Sequence, residues 1–178
     1  MKGAIFVDGD NIFMHLKNLG KRVYLDKDIE WEDLFLALET RGIDLIIKKF
    51  YIVSHLIHPV AVNNIMHIGF SVTPTETYGD KALTDDYILI DAMETILTKS
   101  IEVLVIVSGD KDYLPLARKA RERGINVIFV SFSENTAEVL KREFDFIDLM
   151  PFVKLEELLD STGYVIATQA VDAGGDIL

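Results

Sequence analysis

The segment Glu102–Val107 constrains the fold more than any other, because it is apolar without alternation after its first residue. A strand of that kind has both faces covered by protein, as in a parallel sheet. Further strands are predicted at Gly3–Val7, Leu45–Val53, Phe70–Pro74, Ile125–Val130 and Phe146–Leu149. Helical patterns separate these strands, so the sequence predicts βαβ units around a mainly parallel central sheet, which is an α/β fold.

The segments between the strands have apolar residues at helical spacing. Helices are predicted at Asn11–Leu19, Trp31–Thr40, Pro59–Ile68, Tyr113–Arg123 and Thr136–Arg142, with one more that begins at Thr84. Thr84 is expected to cap that helix, after a polar loop at Thr75–Leu83. Residues 1–160 are predicted to form one domain, and residues 161–178, which lack a clear period, a C-terminal tail that could dock on a neighbour.

The composition excludes several kinds of chemistry. The 178 residues include no cysteine, which rules out disulfides, thiolate metal sites and a cysteine nucleophile. No apolar stretch approaches the ~20 residues of a membrane span, and the apolar run at the N-terminus is too short for a signal peptide. The chain is therefore predicted to be cytoplasmic, with no membrane partner.

The formal net charge of −11 is unusual for a protein that contacts phosphates. Five acids and no Lys or Arg lie in residues 155–178, which leaves 18 bases against 24 acids in residues 1–154. Aspartates that serve as metal ligands would account for much of that excess. The charge therefore does not exclude nucleic acid as a substrate.

Acidic residues follow two of the predicted strands. Asp8 ends the first strand and Asp110 follows Glu102–Val107, each next to a glycine that allows a sharp turn. Ligand sites of open parallel sheets lie beyond the carboxyl ends of the strands, so the two carboxylates should converge. Asp10 and Asp112 can instead be explained as helix caps. A buried strand-end carboxylate without a cation or donors would be costly, which favours a bound metal for Asp8 and Asp110.

A third acidic pair, Asp85-Asp86, opens the helix at Thr84. It can be explained by the positive end of the helix dipole alone. A helix that begins at the same sheet edge would also direct these residues towards Asp8 and Asp110. Oxygen ligands without cysteine select Mg²⁺ or Mn²⁺ over zinc, and such a cluster could activate water for hydrolysis of a phosphodiester bond.

Three segments carry these acids in a recognisable order, namely Phe6–Ile12, Lys81–Met93 and Val107–Leu116. In order and spacing they resemble the signature segments of the NYN domain, a PIN-like branch of metal-dependent ribonucleases. The Ser-Gly-Asp-x-Asp segment that leads into an apolar helix is the most specific of the three. The resemblance implies a three-layer, Rossmann-like (PIN-like) domain whose acidic pocket binds one or two Mg²⁺ or Mn²⁺ ions and cuts RNA.

The resemblance also implies roles for individual residues. It assigns metal binding and water activation to Asp8, Asp85, Asp110 and Asp112. Asn11 is expected to orient the first aspartate or a phosphate, and Ser108 to hydrogen-bond within the pocket. The segment before Asp85 is one residue longer than in similar members, which leaves Asp86 as an alternative ligand. Phe144 replaces an acid of the family near the end of the domain.

Two basic residues are predicted to contact the RNA backbone. Lys81 lies in the polar loop, and Arg118 lies on a basic helix face. The histidines His55, His58 and His67 have no matching acids and are interpreted as ordinary surface or partly buried residues. Apolar residues in the C-terminal tail leave a homodimer open.

Two other functions remain open. Asp8-Gly9-Asp10 after a strand also looks like the nucleophile and acid of a haloacid-dehalogenase-type phosphatase, although Ile12 stands where Thr or Val is expected. The domain could also bind RNA or protein without cutting it. Release of phosphate from an aryl phosphate would favour the phosphatase, whereas metal-dependent shortening of RNA would favour the nuclease.

Overall fold

The computed structural model describes residues 1–20 and 22–154. Within them, the central sheet consists of β1 (Lys2–Asp8), β2 (Asp44–Val53), β3 (Ser71–Thr75), β6 (Val103–Val107), β7 (Asn126–Ser131) and β8 (Asp145–Asp148). Strands β4 (Thr77–Tyr78) and β5 (Lys81–Ala82) form a separate antiparallel hairpin. The α-helices are α1 (Gly9–Asn18), α2 (Trp31–Glu39), α3 (Pro59–His67), α4 (Thr84–Thr98), α5 (Leu114–Glu122) and α6 (Glu138–Glu143).

The strand order of the central sheet is β3-β2-β1-β6-β7-β8, and all neighbours pair in parallel. Along the chain, β2 is added on one side of β1 and β3 on the outer side of β2. The next strand of this sheet, β6, pairs with the other side of β1. The order therefore reverses between β1 and β6, and ligands of open α/β sheets bind at such a switch point. The predicted α/β fold with a mainly parallel central sheet is confirmed.

Both faces of the sheet are buried, as the uninterrupted apolar strands predict. Ile5 and Val7 of β1 pack on one face with residues of α1, α2 and α3. Ala4 and Phe6 pack on the other face with residues of α4, α5 and α6. The predicted three-layer arrangement follows, and it holds β1 and β6, whose carboxyl ends carry the predicted acids, at the centre of the molecule.

The connection before α4 differs from the prediction. The polar loop predicted at Thr75–Leu83 contains the hairpin of β4 and β5, and Thr84 is the first residue of α4 and not its cap. The Thr84 hydroxyl donates to Asp10 Oδ2 at 2.6 Å and lies 2.7 Å from the Thr75 hydroxyl. A buried hydroxyl needs partners, and Thr84 finds them in neighbouring elements instead of its own helix.

The predicted tail, residues 161–178, and the predicted boundary at residue 160 lie outside the described residues. The prediction that apolar residues of this tail could support a homodimer therefore stays a prediction. Within the described part of the chain, no helix combines the length and the apolar character that a bilayer crossing needs.

Candidate active site at the carboxyl edge of the sheet

Asp8 ends β1 at the switch point and is almost fully buried, with 5% of its surface exposed. Its Oδ1 accepts the backbone N–H of Asn11 at 3.2 Å. Its Oδ2 accepts the hydroxyl groups of Ser108 at 3.2 Å and Tyr113 at 2.9 Å. Donors from both sides of the switch point therefore hold this carboxylate in one orientation.

The pKa of Asp8 is raised from its ordinary value of 3.8 to about 6, chiefly by burial and also by the nearby charge of Asp10. The hydrogen bonds from Asn11, Tyr113 and Ser108 act in the opposite direction, because they favour the charged form. They do not compensate for the loss of water. An ionised Asp8 would therefore gain strongly from a cation beside it.

Asp110 follows β6 and is joined to Asp8 through Ser108. The Ser108 hydroxyl donates to Asp8 and accepts the backbone N–H of Asp110 at 3.2 Å. Asn11 makes a second link, since its Oδ1 accepts the backbone N–H of Gly109 at 3.1 Å. The ends of β1 and β6 are thus bonded together through the side chains of Asn11 and Ser108.

The interpretation of Asp10 and Asp112 as helix caps is wrong. Asp8 is the N-cap of α1, and Asp110 caps a short 3₁₀ turn by accepting the backbone N–H of Asp112 at 2.9 Å. The reason is that α1 starts directly at Gly9, so that the cap position coincides with the strand end. One oxygen of each strand-end aspartate is therefore bound by a backbone N–H of the following turn.

Asp10 connects three elements of the fold. From α1, its Oδ1 accepts the backbone N–H of Val53, the last residue of β2, at 2.8 Å. Its Oδ2 accepts the hydroxyl of Thr84, the first residue of α4, at 2.6 Å. Asp10 thus holds the elements around Asp8 in place.

Tyr113 is a site residue that sequence reasoning missed. It is fully buried, and its hydroxyl donates to Asp8. Its pKa is raised by burial and by the charges of Asp8, Asp85 and Asp110, so three of the predicted acids lie within electrostatic range of one hydroxyl. The available signal was spacing, because Tyr113 stands one helical turn after Asp110.

The structure distinguishes the two acids of the pair Asp85-Asp86. Asp86 forms an ion pair with Lys81 of β5, in which Nζ and Oδ2 are 2.7 Å apart. Asp85 is partly buried, and its pKa is raised by burial and by the charge of Asp86. The charge of Asp85 also raises the pKa of the Tyr113 hydroxyl, which favours Asp85 over Asp86 as the acid that lies with Asp8.

The other predicted residues lie in more exposed places. Asp112 is exposed. The pKa of Lys81 is raised by its hydrogen bond to Asp86 and, among other charges, by that of Asp112. Arg118 donates to both carboxylate oxygens of Glu143, at 3.1 and 2.6 Å. An RNA phosphate at Lys81 or Arg118 would therefore have to share the cation with a carboxylate.

Within residues 1–20 and 22–154, no three His, Cys, Asp or Glu side chains are arranged to hold a metal ion between them. The four predicted aspartates thus do not form a closed cage. Mg²⁺, however, is commonly held by one or two carboxylates, with waters and substrate phosphates as further ligands. Asp8 and Asp110 fit that kind of site, because they offer hard oxygen donors and one of them is a buried carboxylate without a compensating cation.

Tyr113→Phe should raise the pKa of Asp8 above about 6, because it removes one hydrogen bond that favours the ionised form. The NMR shift of the Asp8 carboxyl carbon, followed against pH in the metal-free protein, measures the change. Tyr51→Phe is the control, since the Tyr51 hydroxyl donates to Asp91. An unchanged or lower pKa in Tyr113→Phe alone would contradict the role given to this hydroxyl.

Comparisons with known proteins agree with this fold and with the acidic segments. A protein of unknown function from Vibrio parahaemolyticus has a similar solved structure, with a TM-score of 0.66, 20% sequence identity, and coverage of 86% of this chain and 96% of that chain. An uncharacterized protein of Methanocaldococcus jannaschii is 27% identical over 144 residues, which are 81% of this chain and 53% of that relative. This chain therefore spans about half the length of that curated relative. The model of the NYN domain matches residues 2–167, which include all three acidic segments, and the chain belongs to the NYN domain family.

Proposed function

We propose that this protein is a divalent-metal-dependent ribonuclease that hydrolyses phosphodiester bonds at the carboxyl edge of the sheet. NYN domains are generally nucleases with a PIN-like fold, which supports the reaction class. Within this chain the proposal rests on the buried Asp8 carboxylate, which is linked through Ser108 to the backbone of Asp110. A carboxylate pair at the switch point of a parallel sheet suits a cation and a phosphate.

The residues that would hold Mg²⁺ or Mn²⁺ are Asp8 and Asp110, with Asp85 and Asp112 as further acids of the proposed site. When bound, the ion would supply a water of lowered pKa and neutralise charge on the scissile phosphate. Tyr113 and Ser108 orient the Asp8 carboxylate by donating to its Oδ2. Asp10, on α1, accepts hydrogen bonds from β2 and α4 and so fixes these elements around Asp8.

The residues predicted to bind substrate take different parts in this proposal. Asn11 and Ser108 join the strand ends, so they act as positioning residues for Asp8 and Asp110. Lys81, on the hairpin beside the start of α4, is the proposed phosphate contact nearest the acidic pocket. Arg118, which is paired with Glu143, would contact a more distant part of the RNA backbone.

The phosphatase alternative requires Asp10 to act as a general acid. Both oxygens of Asp10 accept hydrogen bonds, from the backbone N–H of Val53 and from the hydroxyl of Thr84. Both oxygens of Asp10 are therefore already engaged in holding β2 and α4, and neither is directed at a leaving group. The nuclease is therefore the better supported of the two enzymes.

Asp110→Asn tests the proposal. With Mn²⁺ and single-stranded RNA, the parent should cut at least about 100-fold faster than this variant, because a lost metal ligand removes several kcal/mol of transition-state stabilisation. Asp44→Asn is the matched control, since Asp44 is exposed at the start of β2, at the opposite edge of the sheet. Circular dichroism and unfolding temperatures establish that the three proteins are equally folded.

The other outcomes are distinct from one another. If the parent cuts no RNA above the level of Asp110→Asn, the catalytic proposal fails. A rise in unfolding temperature with Mn²⁺ in the parent and in Asp44→Asn, but not in Asp110→Asn, would then indicate a metal-stabilised binding module. Release of phosphate from an aryl phosphate, without shortening of RNA, would indicate a phosphatase.

A further inference from the structure

A cavity of about 630 Å³ opens between α1, the segment 22–25 and the segment 54–61 that follows β2. Its volume lies in the range of small-molecule and cofactor sites. The aromatic and basic residues that line this α1 cavity are Phe13, Lys17, Arg22, Tyr24, His55 and His58. The candidate active site uses none of them.

The α1 cavity has a basic lining in an acidic protein. Lys17 and Arg22 line it, and no Asp or Glu does so among the residues that the structure describes. Asp26, which follows the segment 22–25, is hydrogen-bonded to Nδ2 of Asn64 at 2.8 Å and does not line the cavity. In a chain with a net charge of −11, such a lining favours an anionic ligand.

An aromatic ring and apolar side chains complete the lining. Tyr24 is 39% exposed, and the guanidinium carbon of Arg22 lies 5.4 Å from the centre of its ring. Phe13, Leu56 and Ile57 are partly buried and form an apolar wall. Nζ of Lys27 also lies over this ring, 5.8 Å from its centre. An aromatic ring with cations over it, next to an apolar wall, fits a nucleobase that carries a phosphate.

His58 supplies a hydrogen-bond donor to the same cavity. Its Nδ1 accepts the backbone N–H of Val60 at 3.1 Å, so the ring proton of the neutral side chain lies on Nε2. A base edge or a phosphate oxygen can accept a hydrogen bond from that nitrogen. The cavity therefore combines stacking, charge and directional recognition.

The α1 cavity and the candidate active site share their supporting elements. Val53 donates its backbone N–H to Asp10 at 2.8 Å, and the next residue, Ser54, lines the cavity. Lys17 lies about 13 Å along α1 from Asp8, at about 1.5 Å per helical residue. A single strand of a few nucleotides can span this distance, since successive phosphates of one strand are about 3.4 Å or more apart.

We propose that the α1 cavity is a subsite for one nucleotide of a single-stranded RNA whose scissile bond lies at Asp8 and Asp110. The base stacks on Tyr24, and Lys17 and Arg22 bind the adjoining phosphate. The inference rests on the proposed ribonuclease function for the identity of the strand, but it involves none of the residues that would carry the chemistry. The subsite would select the nucleotide that stands at a set distance from the cut.

Binding without metal separates the subsite from catalysis. In EDTA, the fluorescence anisotropy of a labelled single-stranded RNA of about ten nucleotides measures binding by the full chain. Lys17→Ala combined with Arg22→Ala should weaken binding about 10- to 100-fold. It should also lower the slope of log K against log salt concentration by about 0.7, the value for one lost phosphate contact on a single strand. Tyr24→Leu should weaken binding about 5- to 100-fold through lost stacking.

Lys99→Ala combined with Arg123→Ala is the matched control, because it also removes one lysine and one arginine. These residues end α4 and α5, which precede β6 and β7, and so lie at the opposite edge of the sheet. The control should bind RNA as the parent does. Equal weakening in both double variants, unchanged binding in the cavity variants, or no binding by the parent would each overturn the proposal.

A nucleoside monophosphate distinguishes a strand from a free nucleotide. It should displace the RNA only at concentrations far above the Kd of the RNA, and equal affinity would overturn the RNA subsite in favour of a free-nucleotide site. Failure of the proposed ribonuclease function gives a different pattern. In that case the parent and Asp110→Asn show equal cleavage, while the cavity variants still bind the RNA more weakly than the parent.

Discussion

Asp8→Asn should make the metal-free protein more stable at about pH 8 and at the same time remove the proposed metal-dependent cleavage of RNA. Asp8 is ionised at that pH, although only 5% of its surface is exposed. A folded-state pKa of about 6, against the ordinary 3.8, corresponds to a destabilisation of about 3 kcal/mol in the ionised form. A neutral side chain of the same shape avoids that destabilisation.

The difference in stability between Asp8→Asn and the parent should depend on pH in the way that a buried carboxylate predicts. Below about pH 4, Asp8 is protonated in the folded chain and increasingly so in the unfolded chain, so that its charge contributes nothing. As the pH rises from about 4 to 6, the unfolded chain releases the proton first, and the parent loses stability relative to Asp8→Asn. Above about pH 6 the difference should be constant. Urea titrations of both metal-free proteins across this range measure the free energy of unfolding.

Metal should stabilise the parent but not Asp8→Asn. Mn²⁺ should raise the unfolding temperature of the parent and leave that of Asp8→Asn unchanged, because ligands stabilise only the state that binds them. Cleavage of RNA by Asp8→Asn should fall at least about 100-fold. Asp44→Asn should resemble the parent in every measurement. If Asp8→Asn is less stable than the parent at each pH, or Mn²⁺ stabilises both proteins alike, Asp8 is not the buried carboxylate that receives the cation.

Gly109→Ala should lower the free energy of unfolding by about 3 kcal/mol, the upper part of the range for overpacking. A Cβ at Gly109 would lie 2.5 Å from the carbonyl oxygen of Asn135 and 2.9 Å from the Cα of Thr136. Both are backbone atoms, and the neighbouring Ala137 N–H donates to the Gly109 carbonyl at 3.0 Å. The clash therefore cannot be relieved by rotation of a flexible side chain.

Gly124→Ala separates this steric effect from the effect of an added methyl group elsewhere. Gly124 has a φ of +78° and no neighbouring atom within 4 Å of its Cβ position, so only backbone strain of about 1 kcal/mol is expected. Urea denaturation compares the two variants at one pH. A loss in Gly109→Ala no larger than that in Gly124→Ala would show that the contact between this glycine and the 135–136 segment is not tight in solution.

That the strand ends carrying Asp8 and Asp110 lie side by side could be predicted from the sequence, because it follows from the order of the strands. Strands that are apolar on both faces pair in parallel, and their carboxyl ends share one edge. The choice of cap residue could not be predicted in this way. It depends on whether α1 begins at Gly9 or later, and a local pattern does not define a helix start to a single residue.

Side-chain contacts between distant parts of the chain could not be predicted from the sequence either. Thr84 meets Asp10 across 74 positions, and Tyr113 meets Asp8 across 105. A threonine at a helix start is more simply explained as a cap, and a tyrosine in an apolar helix as a core residue. The sequence favoured Asp85 and left Asp86 as the alternative, but the ion pair of Asp86 with Lys81 could not be predicted, because the hairpin that carries Lys81 is too short to show alternation.

The helix α1 follows β1 without a connecting residue. An insertion there would interrupt either the strand or the helix, so insertions beside Asp8 are expected to be poorly tolerated. The hairpin of β4 and β5 is different, since it lies on the surface and Tyr78 within it is 83% exposed. Diversification of substrate choice is therefore expected to proceed through the hairpin, while the strand end at Asp8 stays unchanged.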